Sequence, residues 1–171
     1  MTISDYAPVL GGYRSRGLLL DTNLLLLFLV GSTSPNLVPG FKILANQGFQ
    51  IEDFKTLLKL AKSFQRLVTT PHILTEVSNH ADKLKGRHRT ILFEKIAIAA
   101  DNFLEESRPS KELCQLDGFP KFGLADTAIA AIALNQYLVL TIDLALVGHL
   151  QAKRAAVINF HSLRGIKFQD V

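Results

Sequence analysis

Residues 17–31 read GLLLDTNLLLLFLVG, and this stretch constrains the chain more than any other. Asp21 and Asn23 interrupt the apolar run, and neither uninterrupted piece approaches the roughly 20 residues that span a bilayer. Nor does it read as a secretory leader, because the acid sits inside the run and no small-residue cleavage site follows cleanly. Residues 17–20 are expected to form a short strand, bounded by glycine and ending on a charge. Residues 22–30 should form the helix that follows, stopped by Gly31-Ser32 and closed off by Pro35 and Pro39. A charge that ends an all-apolar run is costly unless it reaches water, a partner or a metal. Asp21 is that charge.

The pattern of a strand followed by a helix recurs along the chain. Residues 41–47 suggest a helical turn. Residues 51–64 read as a helix, with Phe54, Leu57, Leu58, Ala61 and Phe64 recurring at three and four and Glu52 and Asp53 in the first turn. Residues 66–69 are a brief apolar strand. Thr70 then caps a helix that opens on Pro71 and runs through Glu76 to about residue 82. A long helix is expected over 90–106, then a polar stretch over 107–121. A strongly apolar helix follows at 124–134, a buried strand at 137–141, a helix at 144–153 and a last strand at 156–160. Strands alternating with helices imply right-handed crossovers and a mainly parallel sheet covered on both faces. The fold class is α/β.

The chain of 171 residues fits one domain, with no internal repeat and no Ser/Gly/Pro linker, so residues 1–171 are read as a single unit. A content of 48% hydrophobic and 20% charged residues excludes a disordered or low-complexity protein. Cys114 is the single cysteine, which excludes an intrachain disulfide and a cysteine-based zinc cluster and suits a reducing compartment. The second apolar stretch, 124–150, carries Asp126, Asn135, Gln136 and Asp143, so the expectation is a soluble, cytoplasmic protein without a membrane partner. The net charge of +4 comes from 19 Lys and Arg against 15 Asp and Glu, an excess too mild to argue for nucleic acid. The cations are scattered (Lys59, Lys62 and Arg66; Lys83, Lys85, Arg87 and Arg89; Lys153 and Arg154; Arg164 and Lys167), as solvated helix faces are.

Ligands of an open parallel sheet bind outside the carboxyl ends of its strands. Asp21 closes one apolar strand, and Asp143 follows another, Val139-Leu140-Thr141-Ile142. Each could instead simply cap the next helix. Two further acids sharpen the pattern. Asp126 is a solitary charge at the front of an apolar helix, and Glu76 lies inside its own helix with apolar neighbours. Four carboxylates brought together repel one another and demand a divalent cation. Hard oxygen donors without cysteine favour Mg²⁺ or Mn²⁺, ions suited to phosphoryl chemistry.

The order Leu-Leu-Asp21-Thr22-Asn23, then Glu76 in a Thr-Pro-x-x-x-Thr-Glu helix, then Leu-Ala-Asp126-Thr127-Ala, then Leu-Thr141-Ile142-Asp143 resembles a PIN domain. The likeness extends over nearly the whole chain, to the closing Val157-Ile158-Asn159-Phe160 and Leu163-Arg164. It implies a Rossmann-like three-layer α/β/α fold and a metal-dependent endoribonuclease. Asp21 would be the central metal ligand, with Glu76 and Asp126 completing its shell. Asp143 would bind a second ion or orient the attacking water, and Thr22, Asn23 and Thr141 would support the site. The partners implied are an RNA substrate, a small antitoxin protein and a second copy of the chain. The single compact domain, with no added RNA-binding module, favours the toxin of a type II toxin–antitoxin pair of the VapC kind over a housekeeping RNA-processing nuclease. With four acids committed to metal, 19 cations face the remaining 11 acids, and Lys121, Arg87 and Arg89 are the candidate RNA contacts.

Rival readings rest on single features. His72, Glu76 and His80 share a helix face, but two turns separate the histidines by roughly 12 Å, too far for one zinc ion. A haloacid-dehalogenase phosphatase would carry a second Asp where this chain has Asn23. Cys114 has no activating neighbours and reads as structural rather than nucleophilic. A PIN-like fold acting only as an RNA-binding or interaction protein would not need all four acids.

Overall fold

In the computed structural model, which describes residues 3–134 and 136–164, the three leucines before Asp21 are buried on every side. From its amino end the chain forms α1 (Ile3–Tyr13), β1 (Leu18–Leu20), α2 (Thr22–Thr33), a 3-10 turn (Pro35–Leu37), α3 (Lys42–Asn46) and α4 (Ile51–Lys62). There follow β2 (Leu67–Thr69), α5 (Pro71–Ala81), α6 (Gly86–Asn102), β3 (Leu104–Glu105), α7 (Ser110–Leu113) and α8 (Phe119–Ala133). The chain ends with β4 (Leu138–Thr141), α9 (Leu144–Ala152), β5 (Val157–Asn159) and a 3-10 turn (Phe160–Leu163). Asn135 and Lys167, counted above among the polar residues, lie outside the described residues.

The five strands make one parallel sheet in the order β3-β2-β1-β4-β5. Leu18 pairs with Leu67 on one side and Leu138 on the other, so β1 is central and reads as an unbroken apolar run. Right-handed crossovers put α2, α4, α5 and α6 together on one face, where they contact one another, and α8 and α9 on the other. The result is a three-layer, Rossmann-like α/β/α fold. Leu24, Leu25, Leu26, Leu27, Leu29 and Val30 of α2 are all buried, which is why this helix is apolar all round. Strand order reverses between β1 and β4: the chain leaves β1 towards β2, and β4 towards β5. No helix among the described residues is long and apolar enough to cross a membrane.

Several boundaries differ from expectation for identifiable reasons. Gly31 does not stop α2, which continues to Thr33. That glycine is there because a Cβ would run into the ring of Phe54 on α4. The helix expected over 90–106 begins earlier, at Gly86, and ends at Asn102. Phe103 turns extended, and Leu104 and Glu105 pair with Val68 and Thr69 as the edge strand β3. The polar stretch 107–121 contains α7 and the first turn of α8. Gly123, at φ 71°, splits that turn from the rest of α8, a conformation that glycine adopts freely. The helix α1, with Pro8 and paired glycines inside a weakly patterned sequence, was not expected at all.

Candidate metal centre

The site forms where the strand order reverses, at the carboxyl ends of β1 and β4, the position where open α/β sheets take ligands. Asp21 is 3% exposed and caps α2, its Oδ1 accepting from the Leu24 amide at 2.8 Å. Its Oδ2 accepts from the Thr141 hydroxyl at 2.5 Å and from the Ile142 amide at 3.2 Å. Thr141 Oγ1 in turn accepts from the Asp143 amide at 3.0 Å, so the ends of β1 and β4 are joined through one threonine. A carboxylate offers about four lone-pair positions; three are used here. Burial pushes the Asp21 pKa up to about 6 against those three hydrogen bonds, with the Asp143 charge adding to the rise.

Glu76 stands exposed on α5, and its Oε2 accepts from the hydroxyl of buried Thr22 at 2.7 Å. Asp143 caps α9, with Oδ1 accepting from the amides of Ala145 at 2.7 Å and Leu146 at 3.0 Å. Its Oδ2 has no hydrogen bond among the described residues. Asp21 and Asp143 therefore do serve as caps, and each still has acceptor capacity left over.

Asp126 differs from the other three. It is half-buried just beyond the Gly123 break, and among the described residues its carboxylate makes no hydrogen bond. Burial, and after it the charges of Asp21, Asp143 and Glu76, together raise its pKa to about 7. Asp126 is thus within electrostatic reach of the other three acids, and Asp21 of Asp143. Among the described residues no cation offsets that rise.

The remaining candidates are placed less evenly. Thr22 and Thr141 each donate a hydrogen bond to one of the acids. Asn23 is half-buried in the first turn of α2, but its amide makes no hydrogen bond among the described residues, so the support expected of it falls to the two threonines. Lys121 is exposed on the first turn of α8, with its ammonium 4.9 Å from the centre of the Phe122 ring. Arg87 is exposed and has no ion pair among the described residues. Arg89, in contrast, binds Asp82 at 2.6 Å and lies 4.6 Å over Phe93, which leaves its charge already answered. His72, one of the histidines weighed for zinc, contacts Ser110 Oγ at 3.2 Å. Cys114 is exposed at the end of α7, away from the buried place a structural thiol would take.

Sequence reasoning did not find the Thr22–Glu76 bond, which links positions 54 residues apart. It also passed over Thr69 and Thr127, whose buried hydroxyls have no hydrogen-bond partner among the described residues. Among those residues no three His, Cys, Asp or Glu side chains are drawn together as a ready ligand group. The acceptor capacity left over is nonetheless all hard oxygen: one position on Asp21, Glu76 Oε1, Asp143 Oδ2 and both oxygens of Asp126. Hard oxygen donors of this kind are the type that Mg²⁺ or Mn²⁺ takes. No family model, curated protein or solved structure matches the chain.

Proposed function

We propose that the chain is a cytoplasmic endoribonuclease that hydrolyses RNA phosphodiester bonds with Mg²⁺ or Mn²⁺. The observation that carries the reading is Asp126: a half-buried carboxylate, without a hydrogen bond among the described residues, that feels the charges of three further acids. Asp21, Glu76, Asp126 and Asp143 would hold the cation. When bound, it supplies a lowered pKa to its water and charge neutralisation to the phosphate. The chain's own residues prepare that arrangement. Thr141 and two backbone amides fix Asp21 and leave a single lone-pair position over. Thr22 aims Glu76, and the α9 amides hold Asp143 by one oxygen. Asp126 must give up its proton for the set to take a cation.

The 19 cations against 11 acids outside the cluster favour a polyanionic substrate held by its phosphates. The PIN-like order of the acids extends the proposal to a biological role, the toxin of a type II toxin–antitoxin pair. An adjacent reading frame for a small DNA-binding protein would support that role. The chemistry is tested by the ends of the products. Attack by water leaves a linear phosphate on one product and a hydroxyl on the other, whereas attack by the ribose 2′-hydroxyl leaves a 2′,3′-cyclic phosphate. Cyclic phosphate ends would contradict the reading.

A further inference from the structure

Ahead of the break at Gly123, the first turn of α8 meets α9 and builds a second feature. The rings of Phe122 and His149 meet with centroids 4.9 Å apart, and the Lys121 ammonium lies 4.9 Å from the Phe122 centroid. Gly118 lies against the same pair, where a Cβ would stand 3.4 Å from His149 Nε2 and 3.5 Å from Phe122 Cδ2, in ordinary contact. Both rings are only half-buried, so part of this aromatic surface is open to water. Burial, with the charges of Lys153 and Lys121, lowers the His149 pKa and so favours the neutral imidazole.

The position of these rings relative to the acids follows from helix geometry. His149 lies six residues beyond Asp143 on α9, roughly 9 Å along the axis, a distance that one or two extended nucleotides cover. Ala145, one turn before His149 on the same face, is small and exposed, so no bulky side chain of α9 stands between the ring and the acid end. Leu144, next to Asp143, is 73% exposed, the most exposed large hydrophobic among the described residues. An open aromatic face, an exposed lysine and an exposed apolar side chain near an acid cluster suit a single-stranded nucleic acid beside its scissile phosphate.

We propose that His149, backed by Phe122, is a stacking platform for a nucleobase next to the cleaved bond, with Lys121 on a neighbouring phosphate. The platform gives affinity without reading sequence, because every base has a π-face. It rests on the ribonuclease reading and adds a positioning role for His149 that the metal site does not require.

The test measures binding by fluorescence anisotropy in Ca²⁺, comparing a short single-stranded RNA with an abasic ribose-phosphate oligomer of the same length. Wild type, His149→Ala and His149→Phe are compared. The expected result is a preference of wild type for RNA over the abasic strand of about tenfold. His149→Ala should lose that preference, His149→Phe should keep it, and all three should bind the abasic strand equally. RNA preference surviving in His149→Ala overturns the platform and leaves the ribonuclease reading standing. Loss of both RNA and abasic binding in His149→Ala alone assigns His149 to holding α8 on α9, and also overturns it. A wild-type protein that binds neither strand overturns both proposals together.

Discussion

The Thr22 hydroxyl donates a 2.7 Å hydrogen bond to Oε2 of Glu76, joining the residue after Asp21 to a helix 54 positions further along. Thr22 is buried and Glu76 exposed, so the bond anchors a side chain that would otherwise sample many rotamers. Replacing Thr22 with Val keeps the shape and removes the donor. Divalent-cation affinity, read by titration calorimetry, should fall by about 10- to 100-fold, as loss of a partner behind a metal ligand does. Stability should change by only about 1 kcal/mol. Thr22→Ser should restore the affinity. Unchanged affinity in Thr22→Val would show that Glu76 needs no help to take its place.

Asp126 is expected to lower stability while it enables activity, a combination common at functional sites. Asp126→Asn removes a charge that burial and three neighbouring acids oppose. The metal-free variant should melt at the same temperature as wild type or higher, and it should have no detectable RNA cleavage. A large destabilisation with activity retained would make Asp126 a structural residue.

The pH dependence of stability follows from the same two shifts. Asp21 is raised to about 6 and Asp126 to about 7, from a common starting value of 3.8. Between the unfolded and folded values the native protein binds more protons than the unfolded chain, so these groups make stability fall as pH rises. The loss begins above about pH 4 and is complete once pH passes about 7. Thermal melts in EDTA should therefore show this contribution declining between pH 5 and 8, with a shallower decline in Asp126→Asn. Mn²⁺ should oppose the decline most strongly at the upper end, where both acids are ionised. A decline equally steep in Asp126→Asn would place its source elsewhere.

Lys121 supplies a different kind of prediction, since it touches no acid of the cluster. Lys121→Ala should weaken binding to all RNA sequences alike and reduce the salt dependence of affinity by roughly one counterion. Metal affinity should stay as it was. A salt titration in Ca²⁺ reads the slope directly, and an unchanged slope would take Lys121 off the RNA path.

Much of this arrangement was legible in the sequence because burial leaves a compositional trace. Leu18–Leu20 and Leu138–Thr141 are buried on both faces and read as unbroken apolar runs, so the acids that follow them, Asp21 and Asp143, stood out. Asp126 stood out in the same way, as a lone charge in an apolar helix. What the sequence did not reveal depends on contacts between distant positions. Leu104–Glu105 is too short to show a period and becomes a strand only because Val68 and Thr69 lie beside it. Gly31 looked like a helix stop, and its actual cause is the ring of Phe54. The Thr22–Glu76 bond and the Phe122–His149 contact each join two helices, and no local pattern announces either.

The claim at the centre of the account is that the acids at the ends of β1 and β4, with Glu76 and Asp126, hold a divalent cation that RNA hydrolysis requires. Incubating the purified protein with labelled single-stranded RNA, in Mg²⁺ or Mn²⁺ and in excess EDTA, tests it most directly. Cleavage is expected with either ion and none in EDTA, restored when the metal is returned in excess. Equal cleavage in EDTA, or intact RNA under every condition, would contradict it.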